Sequence, residues 1–240
     1  MKKPKIGVIS YRHIEEDRPF KTYTGFVSKV TDKISSFGAN VYGIIFPEGK
    51  FDPELMEGFD GFVFQGGMLI ELCQIEALNY AYENKIPTLG ICNGMQAMFG
   101  FDVLKSKYKT FDSNKDISMR DEEGDFFLEK VANHNPEDPF FLRNKDKAMH
   151  NITIEKGTLL HELMGTDNEM VTSIHNCRCN RKFALNLFEL SAYSDDGTIE
   201  AIELKDKSQF MLGTQFHIEL DNQHDKIIEY FMNEIKKHQN

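Results

Sequence analysis

The chain has 240 residues, 40% of them hydrophobic, and a formal net charge of −10 at pH 7, which suits one large α/β domain spanning residues 1–240. The acidic balance argues against nucleic-acid phosphates and anionic membrane surfaces as partners, and no run of ~18 apolar residues is present to span a bilayer. The apolar run behind the basic start Met1-Lys2-Lys3-Pro4-Lys5 covers only Ile6 to Ile9, and the four cysteines lack framework spacing, so a reducing cytosol is the expected location.

In chain order, residues 5–10 read as a first strand. Residues 22–37 follow as a helix, because Phe26, Val27, Val30 and Ile34 recur at helical spacing. Residues 40–45 supply a second strand, and Pro53 to Met56 a short acidic helix. Gly61-Phe62-Val63-Phe64 is a fully apolar third strand ending in Gln65-Gly66-Gly67. Residues 69–84 form a helix with Leu72, Ile75, Leu78 and Ala81 on one face and Cys73 as packing. The run Ile86-Pro87-Thr88-Leu89 is a further strand. Strands alternating with helices imply a parallel sheet covered on both sides. Residues 103–133 break this pattern and read as a charged, solvated insertion or lid. Beyond it the chain is richer in strands, at 151–155, 197–204 and 210–216, with a turn at Asp195-Asp196-Gly197. A closing helix from about Asp225 carries an apolar stripe of Ile227, Ile228, Phe231, Met232 and Ile235.

The most informative segment is Gly90-Ile91-Cys92-Asn93-Gly94-Met95-Gln96. A cysteine between two glycines, where an apolar strand turns into a helix, matches a nucleophile elbow, and the glycines let the two backbones approach closely. Most free cysteines are merely buried apolar residues. Here, however, the first turn of a helix offers unpaired N–H groups and a positive dipole end that favour a thiolate. A cysteine nucleophile needs a base, and Gly213-Thr214-Gln215-Phe216-His217-Ile218-Glu219 supplies one. In an extended strand end His217 and Glu219 share a face, so the carboxylate can orient the imidazole.

Together, the glycine pair after the third strand, G-I-C-x-G-M-Q and Q-F-H-x-E resemble the class I glutamine amidotransferase superfamily. The stretches 149–160, 171–175 and 196–203 look more narrowly like its γ-glutamyl-γ-aminobutyrate hydrolase-like, peptidase-type branch. The resemblance implies a flavodoxin-like fold with a mostly parallel central sheet and an additional β-rich C-terminal part. It implies hydrolysis of a γ-glutamyl amide through a thioester, with Cys92 as nucleophile, His217 as general acid and base, and Glu219 as its orienter. Backbone N–H groups of Gly67 and Asn93 would hold the oxyanion, and Gly66, Gln96, Ser173 and His175 would contact the small-molecule γ-glutamyl substrate. No cofactor and no metal are implied.

The chain departs from that branch at Gln65, where proline or serine is usual, and at Ile218, where proline is usual. It also has Ser173-Ile174-His175-Asn176-Cys177 in place of Ser-x-His-His-Gln, which leaves the leaving amine open. Zinc on His175, Cys177 and Cys179 lacks a fourth ligand and the spacing of common structural sites. His134, His150 and His161 have no partner motif and read as structural. Two other readings stand beside the hydrolase: a glutaminase subunit delivering ammonia to a separate synthetase, and a non-catalytic binding relative. A homodimer is compatible with any of the three.

Overall fold

A computed structural model describes residues 2–13, 23–67, 69–107, 127–135 and 148–239. After β1 (Lys5–Ile9), a small ribbon of β2 (Tyr11–His13) and β3 (Tyr23–Gly25) leads into α1 (Ser28–Ser36). Then come β4 (Asn40–Ile44), β5 (Gly61–Phe64), α2 (Leu72–Glu83), β6 (Thr88–Ile91) and α3 (Asn93–Lys107). The second half contains β7 (Leu128–Lys130), β8 (Met149–Ile154), α4 (Leu159–Met164), β9 (Asn168–Thr172), β10 (Cys177–Cys179), β11 (Phe188–Ser194), β12 (Ile199–Leu204), β13 (Met211–Thr214) and α5 (Asp225–His238).

Nine strands form one sheet in the order β4-β1-β5-β6-β13-β12-β11-β8-β9. The first five run parallel, and from β13 outward each neighbour is antiparallel. The β-rich C-terminal part is thus a continuation of the central sheet. Alternation along the strands separates two cores. Phe62, Phe64 and Met211 pack with Ile75, Leu78 and Phe99 from α2 and α3 on one face. Val63, Leu89 and Leu212 pack with Val30, Leu160 and Phe231 from α1, α4 and α5 on the other. Both faces are covered, so the inner strands are apolar throughout.

Three sequence expectations are corrected. The first helix begins at Ser28, not at residue 22, because residues 23–25 pair with β2 and the Val27 N–H donates to Gln65 Oε1 at 2.6 Å. The second begins at Leu72 rather than 69, where Glu71 and Gln74 form a reciprocal capping box. The segment 103–133 is not irregular throughout: α3 runs to Lys107, and β7 pairs with β10. The lid expected there falls mainly on residues 108–126, which lie outside the described residues. Among the described residues no helix is long and apolar enough to cross a membrane.

Candidate active site

The three motifs meet because β5, β6 and β13 are adjacent and parallel. Their C-terminal ends deliver Gln65-Gly66-Gly67, Cys92 and the 215–219 segment to one edge of the sheet, the usual place for ligands in parallel α/β sheets. Cys92 sits at φ 53°, a left-handed conformation that a residue with a side chain adopts at a cost. Its N–H donates to the Thr214 carbonyl at 2.7 Å, tying the elbow to β13, and its own carbonyl accepts from the Gln96 N–H at 3.1 Å as α3 begins. The elbow glycines are needed for space. A Cβ on Gly94 would lie 2.0 Å from the Phe64 carbonyl oxygen, and one on Gly90 would lie 2.9 Å from the Gly94 carbonyl carbon.

His217 Nδ1 lies 2.7 Å from Glu219 Oε1. The expected explanation of this pair, an extended strand end, is not what the fold uses. β13 stops at Thr214, and the pair lies in the turn beyond it, where the His217 N–H donates to the Thr172 carbonyl at 3.0 Å. A Cβ placed on Gly66 would lie 3.5 Å from His217 Cε1 and 3.7 Å from Cys92 Cβ, so the thiol and imidazole flank one point beside the glycine. His217 Nε2 is buried with no hydrogen-bond partner. Burial alone would lower this imidazole, but the Glu219 carboxylate and the Cys92 sulfur outweigh it and hold the group well above its ordinary range.

That shift has a testable sign. The folded state binds the His217 proton more tightly than the unfolded chain, where histidine titrates at about 6.5. The pair's stabilisation is therefore complete below that value and is lost as pH rises through the higher folded value. In thermal unfolding, the gap between wild type and Glu219→Gln is expected to be largest near about pH 6 and to narrow toward alkaline pH. A gap that widens with pH would contradict the pairing.

Cys92 opens onto a cleft of about 700 Å³ whose wall includes Gly67, Asn93, Gln96, His175 and Asn176, together with apolar Leu69, Ile70, Phe127 and Leu128. As the first residue of α3, Asn93 has an N–H without an intrahelical acceptor. Gly67 faces it closely: a Cβ there would lie 2.8 Å from Tyr11 Cβ and 3.4 Å from Asn93 Oδ1. Gly66 and Ser173 are not on the cleft wall. The Ser173 N–H donates to the Ala148 carbonyl at 2.7 Å, and its buried Oγ has no hydrogen-bond partner among the described residues.

Gln96 does more within the protein than the motif suggests. Its Nε2 donates to the Cys177 carbonyl at 2.8 Å and to Gln215 Oε1 at 3.0 Å, so only its oxygen is left for a ligand. Gln215 Nε2 in turn donates to Cys92 Sγ at 3.6 Å. A chain of amides thus links the loop at 177 to the thiol. Sequence reasoning does not single out Gln215 as a site residue, although it stands two residues before His217 in the same motif. The departures from the family pattern also find places. Gln65 accepts from Val27 and donates to the Ile9 carbonyl at 2.8 Å, pinning the glycine loop, while Ile218 is fully buried. Asn176 and Cys177 line the cleft.

The four cysteines are free and chemically distinct. Burial, reinforced by the Glu71 charge, pushes Cys73 up to about 12. Burial also carries the fully enclosed Cys179 well above its ordinary value and raises Cys177. Brief alkylation of the native protein at about pH 8, read by peptide mass spectrometry, is expected to leave Cys73 and Cys179 unlabelled while Cys92 reacts. Equal labelling of Cys73 and Cys92 would show that these environments are wrongly described. Cys179 packs its Sγ against Met95 Sδ at 4.0 Å, and His175, Cys177 and Cys179 do not form a ligand cluster among the described residues.

The arrangement defines an α/β domain of the class I glutamine amidotransferase type. A GMP synthase glutamine-amidotransferase-like chain, described as a synthase component from Thermoplasma acidophilum, superposes over 100% of this chain and 97% of its own, with a TM-score of 0.63 and 17% identity. The Trypanosoma brucei CTPS glutaminase domain does so over 98% and 94%, with a TM-score of 0.63 and 18% identity. The profile of the Peptidase C26 family matches residues 70–219, more than half of the chain, and the protein belongs to that family. Membership places it with the cysteine amidohydrolases. In sequence, a glutamine amidotransferase-like protein of Rickettsia prowazekii is 31% identical over 173 residues, 62% of this chain and 59% of that protein. The CTP synthase of Nautilia profundicola is 31% identical over 163 residues, 62% of this chain and 29% of that protein. The chain therefore spans less than two thirds of the length of these relatives.

Proposed function

We propose that the protein hydrolyses γ-glutamyl amides, releasing glutamate and an amine, through Cys92, His217 and Glu219. The observation that carries this reading is the placement of Cys92, at positive φ on the elbow, between the His217–Glu219 pair and the open cleft. The Cys92 sulfur attacks the amide carbon, and the amide oxygen becomes an oxyanion held by the backbone N–H groups of Gly67 and Asn93. The C–N bond then breaks as His217 gives its proton to the leaving nitrogen, which leaves a γ-glutamyl thioester. Water, deprotonated by His217, attacks the thioester, so glutamate leaves and the thiol is restored. Glu219 keeps the imidazole oriented and supports its charged form.

The apolar wall of Leu69, Ile70, Phe127 and Leu128 favours an amine larger than ammonia with a hydrocarbon portion. A second reading, a glutaminase that supplies ammonia to a separate synthetase, is favoured by the CTP synthase and GMP synthase relatives. The test is glutamate release from glutamine and from a series of γ-glutamyl alkylamines. Faster release from the alkylamines is expected. Faster release from glutamine would overturn the choice in favour of the synthetase reading, and no release from any substrate would overturn the stand-alone activity.

A further inference from the structure

Behind the loop that lines the cleft, a buried carboxylate is surrounded by histidine nitrogens. Glu200 on β12 is fully buried, and neither of its oxygens has a hydrogen-bond partner. His150 Nε2 lies 3.2 Å from its Oε1, His134 Nδ1 3.6 Å and His175 Nε2 3.7 Å. Those three nitrogens are also buried without hydrogen-bond partners, the approach of His150 being short but misaligned for one. Side chains this enclosed are ordinarily satisfied, and an isolated carboxylate in such a place is costly. Four donor atoms that face one another and bond to nothing call for something between them.

The outer sides of two rings show which nitrogens carry lone pairs. His134 Nε2 is 3.2 Å from Asp196 Oδ2, and His175 Nδ1 is 2.9 Å from the Cys177 carbonyl oxygen. Both partners only accept, so the outer nitrogens hold the protons and the inner nitrogens of the neutral rings present lone pairs toward Glu200. An outward N–H bonded to a carboxylate or carbonyl is the arrangement that orients metal-bound histidine. The His134, His150 and Glu200 donor atoms lie within 4.8 Å of one another. Around zinc, with bonds of about 2.0–2.1 Å, tetrahedral donors stand roughly 3.3 Å apart, so small movements would close the shell.

We propose that His134, His150, His175 and Glu200 form a buried site for one divalent transition-metal ion of the zinc class, which clamps the cleft loop to the sheet. Three imidazoles and one carboxylate suit zinc, with cobalt as its spectroscopic substitute, and do not suit calcium or magnesium, which take oxygen ligands. The donors come from four separate segments: the stretch after β7, β8, the loop after β9, and β12. Binding an ion therefore stabilises the tertiary structure. It also anchors His175 and, through it, Ile174, Asn176 and Cys177 on the wall of the cleft. The site does not depend on the hydrolase reading and stands outside the Cys92–His217–Glu219 set.

The test uses the full chain, as wild type and as Cys92→Ala, freed of metal by a chelator and titrated with Zn²⁺ or Co²⁺. Binding of about one equivalent is expected in both, with a rise in Tm on adding Zn²⁺. The Co²⁺ form is expected to show visible bands of four-coordinate cobalt without a sulfur-to-metal charge-transfer band. Glu200→Gln and His150→Ala are expected to lose the bound ion, whereas His161→Ala, in the separate pair with Asp167, retains it. The proposal is overturned if wild type binds no stoichiometric ion, if the cobalt spectrum carries the sulfur band, or if both cluster variants keep the ion. Should those variants fail to fold, the wild-type stoichiometry and cobalt spectrum decide alone.

Discussion

Replacing Cys92 with alanine is expected to lower glutamate release from the best γ-glutamyl substrate by roughly 10⁴- to 10⁶-fold, the scale seen when a hydrolase loses its nucleophile. No other described side chain can take over, because the elbow places only residue 92 between the cleft and the His217–Glu219 pair. A companion variant separates chemistry from strain. Cys92 holds φ at 53°, a conformation that costs a residue with a Cβ on the order of 1–3 kcal/mol and glycine little. Cys92→Gly is therefore expected to be as inactive as Cys92→Ala but more stable, by about 1 kcal/mol in urea unfolding. Residual turnover within tenfold of wild type would remove Cys92 from the mechanism, and an alanine variant more stable than the glycine variant would show that the elbow stores no strain.

The second large effect is structural. In Gly94→Ala the added Cβ would lie 2.0 Å from the oxygen and 2.6 Å from the carbon of the Phe64 carbonyl. Phe64 is backbone of β5, held between β1 and β6, so the obstacle cannot rotate away as a side chain could. Overpacking against side chains costs about 1–3 kcal/mol, and a rigid neighbour places this variant at or above about 3 kcal/mol. Relief requires α3 to lift from the sheet, which also displaces Cys92 and Asn93 and reduces turnover. Gly58→Ala is the control, since nothing lies within 4 Å of its Cβ and only its φ of +74° is strained. Urea denaturation of both variants checks the comparison, and a Gly94→Ala loss no greater than that of the control would show that helix and strand are not in this contact.

Legibility follows the range of the interactions. The elbow is readable because strand, glycine, cysteine, glycine and helix are consecutive, and local sterics require that composition. The cores are readable from period two in β5 and β6 and from Ile75, Leu78 and Ala81 in α2. Helix starts are less so. Spacing alone assigns residues 23–25 to a helix, whereas pairing with β2 and the bond from Val27 to Gln65, 38 positions away, hold the helix start at Ser28. A strand argument finds the His217–Glu219 pair, yet a turn brings the two side chains together.

From the residues alone come the order of strands and helices, the nucleophile elbow and the three motifs that mark the family, because each is written in neighbouring positions. Tertiary structure decided the rest. It set β5, β6 and β13 side by side so that the motifs converge, and it turned Gln96 inward onto Cys177 and Gln215. It also gathered His134, His150, His175 and Glu200 around one point. No local spacing links those four residues, since only the folding of β8 and β12 into one sheet removes water from the carboxylate and leaves the imidazoles as its nearest polar neighbours.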